Sequence, residues 1–138
     1  MLEVVQRKDF PEGLMDNLMR GVFHNSAGED YYRFDFALLC HDGNSVPTSF
    51  VTCKEVTKDD VYVDFGGTFP NQRGYVTYRN IQDMIKTLSE KYQTVFTHVQ
   101  NTNYPMLKLY LHEKFEIIGV RVKKDGRIFC ELKKELRG

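Results

Sequence analysis

"NTNYPMLKLYLHEKFEIIG", residues 101–119, is the stretch on which the reading of the fold turns. Pro105 stands where a helix would begin, at a place where its missing N–H costs nothing. Met106, Leu107 and Tyr110 follow at helical spacing. Asn103, Met106, Tyr110 and Phe115 fall at offsets of 0, 3, 7 and 12. Before the stretch, "TVFTHV" (94–99) is rich in β-branched residues and reads as a strand. After it, "FEIIGVRV" (115–122) and "RIFCELKKE" (127–135) flank the turn "KKDG" and read as a hairpin. The region is therefore strand, helix, strand, strand.

Working outward toward the N-terminus, "NIQDMIKTLSEKY" (80–92) places Ile81, Met84, Ile85, Leu88 and Tyr92 on one helical face. Ahead of it lies "FPNQRGYVTYRN" (69–80), a corner between the strand "VYVDFGG" (61–67) and a helix starting near Thr77. Helix starts expose N–H groups that attract anions, so such a corner can cradle a phosphate. Further back, "TKDD" turns the chain, "SFVTCKEV" (49–56) pairs with "YYRFDFALLC" (31–40), and "HDGN" joins them with Asp42-Gly43 at its centre. Leu14, Met15, Leu18, Met19, Val22 and Phe23 predict an earlier helix, with Asp9 and Glu12 as a capping box and Pro11 in the first turn. "LEVV" (2–5) is a first strand.

The predicted order is β-α-β-β-β-α-β-α-β-β. That is an α/β (α+β) chain with mixed pairing and hairpins at both ends. At 138 residues, one domain over 1–138 is expected. Formal net charge is zero, which argues against general steering to nucleic acid or membranes. The C-terminal hairpin is basic: Arg121, Lys123, Lys124, Arg127, Lys133, Lys134 and Arg137 stand against Asp125, Glu131 and Glu135. A solvated hairpin is the ordinary reading of such a run, and a patch for an acidic partner is the other. Cys40, Cys53 and Cys130 form no C-x-x-C pair and suit small core positions in a reducing compartment. No zinc spacing is found among Cys and His. "MLEVVQRKDF" is too charged for a signal peptide, and no apolar run approaches the ~20 residues of a membrane span. The expectation is a soluble, cytoplasmic protein without metal.

The second half resembles the GNAT superfamily of acyl-CoA-dependent N-acetyltransferases, whose pattern there is V-x-x-x-N-x-x-A-x-x-x-Y-x-x-x-G-F. Val99, Asn103, Tyr110 and Phe115 match in register, while Met106 replaces the small residue and Lys114 the glycine. The element order matches nearly throughout, and the resemblance is specific from about Val61 to Gly119. The family's pyrophosphate loop reads R/Q-x-x-G-x-G/A. Arg73 and Gly74 fit its lead, but Val76 and Tyr78 occupy the later small positions, so the loop is degenerate. Glycine there permits close approach of backbone N–H groups to pyrophosphate. A valine in a helical first turn can still present its N–H, so the cradle survives with altered geometry or is lost.

The resemblance implies a central mixed, mostly antiparallel twisted sheet flanked by helices, with acetyl-CoA in the cleft where the fourth and fifth strands splay. It implies that Gly67, Thr68 and Phe69 bond the pantetheine arm. The N–H groups of Gly74, Tyr75, Val76, Thr77, Tyr78 and Arg79 would hold the pyrophosphate, with Arg73 and Arg79 adding charge. Tyr110 would protonate the leaving thiolate, and Asn103 would bond the cofactor or a water. The amine attacks the thioester directly and needs a general base. Asp64 is the carboxylate on the strand lining the cleft; His98 is the alternative, since an unperturbed imidazole suits the task.

The acceptor that the resemblance implies is a primary amine, on a small molecule or a protein; Glu29 and Asp30 in "HNSAGEDYY" would suit a cation. A homodimer through an edge strand of the final hairpin is also compatible. Two rival readings stay open. One is a non-catalytic GNAT-like module that binds a protein. The other is a single-strand nucleic-acid binder using the basic hairpin and the tyrosines of "YVTYR", against which neutral charge and the lack of a motif argue.

Overall fold

The computed structural model describes residues 2–10, 13, 33–41, 47–68 and 75–137. Seven strands, Leu2–Gln6 (β1), Phe36–His41 (β2), Pro47–Glu55 (β3), Asp60–Thr68 (β4), Thr94–Gln100 (β5), Glu116–Val122 (β6) and Ile128–Glu135 (β7), form one sheet in the order β1-β2-β3-β4-β5-β7-β6. The β4–β5 ladder is parallel; β1–β2, β2–β3, β5–β7 and β6–β7 are antiparallel. Two α-helices are described, Tyr75–Ser89 (α1) and Tyr104–His112 (α2). The expected mixed, mostly antiparallel α+β architecture is therefore present. The predicted helix around 14–23 and the Asp42-Gly43 turn lie outside the described residues.

The chain divides into two compact units, Met1–Lys54 with Asp64–Met84, and Glu55–Val63 with Ile85–Gly138. In the first unit, β2 is buried at every position from Phe36 to Cys40, as its unbroken apolar run requires of a strand covered on both faces. Its register sets Val4 opposite Leu38 and Leu38 opposite Val51, with a bulge between Cys40 and His41. Asn80 of α1 donates to Ser49 of β3 at 2.6 Å. Cys40 and Cys53 are core residues, and burial pushes both thiols up. Cys130 is only half-buried.

In the second unit, β4 and β5 pair from Asp60↔Thr94 to Val63↔Thr97, and both strands continue past that ladder. β7 then pairs with β5 along its whole length, Thr94↔Glu135 through Gln100↔Phe129, and carries β6 on its other side. The final hairpin is thus inserted with its second strand innermost. Burial explains why: Leu132 and Phe129 of β7 are core, whereas Ile117, Ile118, Val120 and Val122 of β6 are each more than half exposed. Gly126 closes the turn at φ +89°, a conformation suited to glycine.

Both helices follow their sequence signals. Ile81, Met84 and Leu88 are buried, Ile85 half-buried, and Tyr92 stays buried beyond the helix end. α1 starts at Tyr75, two residues ahead of the expected Thr77. Arg137 closes its other end, donating to the carbonyls of Ser89 (2.9 Å) and Glu90 (2.6 Å), where a cation opposes the negative end of the dipole.

Candidate functional site

In the first unit the candidate stretch is the passage from β4 to α1. Gly67 and Thr68 are the last residues of β4. Phe69, Arg73 and Gly74 lie outside the described residues. Tyr75, Val76, Thr77 and Tyr78 form the first turn of α1, and Arg79 follows, exposed. Val76 and Tyr78 therefore have helical backbone, in which N–H groups of the first turn have no partner within the helix. The turn contains no acidic residue that would repel an anion.

In the second unit the candidate stretch is α2. Asn103 is its N-cap, with its side-chain oxygen accepting from the Met106 N–H at 3.4 Å, and Pro105 sits in the first turn. The residue expected to meet a cofactor thus also holds the start of the helix. Tyr110 is the buried residue of α2, 4% exposed, and its ring meets Phe115 edge-on with centroids 4.8 Å apart. The helix closes with two bonds, Phe115 N–H to the Tyr110 carbonyl and Lys114 N–H to the Leu111 carbonyl, at 3.0 and 3.1 Å. This double closure needs a left-handed residue between helix and strand, and Lys114 supplies it at φ +70°. The pattern position that prefers glycine is therefore a real backbone requirement, met here by a lysine under strain.

The strands of each unit also carry polar groups. Asp64 of β4, 12% exposed, is ion-paired to Lys54 of β3 at 2.9 Å, a partner that no sequence motif announced. His98 belongs to a larger chain of contacts in the second unit. Its Nδ1 lies 2.7 Å from the Tyr62 hydroxyl. That hydroxyl donates to Glu131 Oε2 at 2.9 Å, and Glu131 Oε1 accepts from Arg121 Nε at 3.1 Å. Phe129 meets the His98 ring edge-on, with centroids 5.2 Å apart. β4, β5, β7 and β6 each contribute one polar member. Tyr62 and Glu131 were not legible as partners of His98, because they meet only through the register that sets His98 opposite Glu131. Among the described residues no cluster of His, Cys, Asp or Glu could hold a metal ion, and no helix is long and apolar enough to cross a membrane.

No protein-family model matches the chain, and no curated protein matches it in sequence. Solved structures do match in fold. The ribosomal-protein-S18-alanine N-acetyltransferase of Escherichia coli aligns with a TM-score of 0.78 at 13% identity, covering 100% of this chain and 96% of that one. An N-acetyltransferase of Staphylococcus aureus Mu50 aligns at 0.76 and 15% identity, covering 99% and 98%. The spermidine/spermine N-acetyltransferase SpeG of Vibrio cholerae aligns at 0.75 and 14% identity, covering 99% and 92%. The fold is that of the GNAT N-acetyltransferases.

Proposed function

We propose that this chain, a single domain with the GNAT fold, is an N-acetyltransferase that moves an acetyl group from acetyl-CoA to a primary amine by direct attack. The observation that carries this reading is the fold likeness over essentially the full length of three N-acetyltransferases. Two local features support it. The first turn of α1 offers helix N–H groups free of neighbouring acids, which suits a pyrophosphate. Tyr110 stands in register with the tyrosine of the family pattern, in an aromatic setting that fixes its ring.

In this reading Gly67, Thr68 and Phe69 bond the pantetheine arm. Arg73 to Arg79 hold the pyrophosphate, and Asn103 adds a polar contact beside its capping bond. The amine nitrogen bonds to the thioester carbonyl carbon, the carbon–sulfur bond breaks, and Tyr110 gives the sulfur a proton. A second group takes the proton that the amine loses; β4 supplies Asp64 and β5 supplies His98. Positioning the two reactants lowers the barrier by up to ~7–11 kcal/mol. The acceptor belongs to the class represented by the neighbours' names, a polyamine or the terminal amine of a protein, and the setting is cytoplasmic.

Thermal melting with acetyl-CoA and with free CoA tests the cofactor. A ligand at 100 times its dissociation constant adds ~2.7 kcal/mol, which moves the midpoint by several degrees. No shift at millimolar cofactor would mean that Val76 and Tyr78 have closed the cradle, and the acetyltransferase reading would fall. Turnover is then screened by CoA release with spermidine and with an alanine-initiated peptide. Tyr110→Phe should lower kcat while the dissociation constant for acetyl-CoA stays nearly unchanged; equal turnover would remove Tyr110 from the acid role.

A further inference from the structure

We propose that two copies of this chain associate edge to edge, their β6 strands pairing antiparallel about a two-fold axis at Gly119. The interface lies within the second unit and concerns assembly rather than the transfer reaction.

β6 is the last strand of the sheet, and β7 is its one neighbour among the described residues. In an antiparallel pair alternate residues turn their N–H and C=O groups away from the neighbouring strand. Alternate residues of β6 therefore present backbone groups outward, where another strand can pair with them. Soluble proteins blunt such edges with lysine, proline or inward-pointing charge. β6 carries Ile117, Ile118, Val120 and Val122 instead, 51, 52, 63 and 66% exposed. Single exposed apolar residues are ordinary, but a contiguous row of them marks a contact surface.

The bulge in β6 organises this row. The register runs Ile117↔Leu132 and then Gly119↔Glu131, so Ile118 is an extra residue that the β7 ladder skips. Alternation restarts after it. Ile117, Val120 and Val122 are opposite Leu132, Cys130 and Ile128, and share one side of the sheet. Glu116, Gly119 and Arg121 are opposite Lys133, Glu131 and Phe129, and share the other side. Without the bulge, Ile117 and Val120 would point to opposite sides.

That order is self-complementary. A two-fold axis normal to the sheet lays a strand antiparallel to its own copy and leaves each side of the sheet on the same side. With the axis at Gly119, and Ile118 skipped as it is by β7, Ile117 of each copy lies opposite Val120 of the other. Glu116 of each copy lies opposite Arg121 of the other. Apolar residues meet on one side, and acid meets base on the other. Arg121 keeps Glu131 of its own copy at 3.1 Å, and its half-exposed guanidinium has further donors for Glu116. An axis at Val120 also matches the sides, but it sets Arg121 opposite Gly119 and carries Glu116 past the strand's end at Val122. An axis at Arg121 would set two arginines opposite each other. Charge thus selects Gly119, and it selects a second copy as the occupant of the edge. The strand's one acid and one base stand symmetrically about that axis.

Sedimentation equilibrium of the full chain tests the association. The mass should be twice 16.2 kDa, or rise toward that value with concentration. A constant 16.2 kDa up to millimolar concentration overturns the proposal and leaves the edge to a different partner. Val120→Lys puts a charge into the apolar row and should raise the dissociation constant at least ~10-fold. Melting of the diluted protein should not change, because Val120 is exposed. A dimer indifferent to Val120→Lys uses another surface and overturns the β6 interface. Cysteine cross-linking reads the register, in a Cys130→Ser background because Cys130 lies opposite Val120 within one chain. Residues facing each other across an antiparallel pair have Cα atoms ~4.5–5.5 Å apart, within disulfide range. A Cβ on Gly119 would meet nothing within 4 Å, so a cysteine fits there. On oxidation Gly119→Cys should give covalent dimer much faster than Val120→Cys, or than Lys124→Cys on the turn. Faster cross-linking at Val120 overturns the axis at Gly119, and equal rates at all three positions overturn the antiparallel pairing.

Discussion

One face of β4, β5 and β7 in the second unit is dry and the other is polar. On the dry face Val61, Val63, Val95, Thr97, Val99 and Leu132 are each at most 5% exposed. Their register sets Val61 beside Val95, and both Val63 and Leu132 beside Thr97. Thr97, the polar member, spends its hydroxyl on the Val63 carbonyl at 3.0 Å. On the polar face, residues one step away along the same strands form the Arg121–Glu131–Tyr62–His98 chain. Strand alternation lets one stretch of sequence build an apolar packing face and a hydrogen-bonded polar face at once.

That comparison can be broken from the dry side first. Leu132→Ala removes a fully buried side chain and should cost about 2–5 kcal/mol by chemical denaturation. A loss well under ~1 kcal/mol would mean that the dry face repacks around the gap. Thr97→Val keeps the shape but leaves the Val63 carbonyl without its hydroxyl partner, an expected loss of about 1 kcal/mol in the same assay. Lys114→Gly relaxes the positive-φ residue that ends α2 and should stabilise by about 1 kcal/mol; a loss would mean that the lysine side chain contributes more than its backbone strain costs.

The smallest expected effect lies at Glu55, away from both faces. Its carboxyl is held below the usual range by the Tyr92 hydroxyl, 2.6 Å away, and then by Lys91. A depressed carboxyl contributes stability above its unfolded pKa, about 4.3, and that contribution is lost as pH falls through the lower folded value. Melting of wild type and Tyr92→Phe should therefore differ most near neutrality and converge below about pH 4. A constant difference down to pH 3 would mean that the Tyr92 effect is packing alone.

Much of this protein was legible in its sequence. Apolar spacing marked α1 through Ile81, Met84 and Leu88, and Pro105 marked the start of α2, though the Asn103 cap emerged only in the structure. The aromatic-rich run ending at Cys40 announced a strand, and the structure added that it is buried from Phe36 to Cys40. These signals are local, because helix period, strand alternation and cap geometry involve residues a few positions apart. Tyr110 and Phe115 were legible in the same way, as a spaced pair whose rings then proved to touch. Lys114 could be marked as a departure from a pattern, though only the backbone angle explained why that position prefers glycine.

Other features depended on partners far away in sequence. Lys54 meets Asp64, Arg137 closes α1, and Glu131 reaches Tyr62 across 69 positions. The insertion of β7 between β5 and β6 was hidden as well, since a hairpin reads the same whichever strand lies innermost. The sequence by itself determined the described strands and helices, but not that the apolar residues of β6 would stay exposed. Strand order and register, decided only in the tertiary structure by which apolar faces could be covered together, determined which polar side chains would meet.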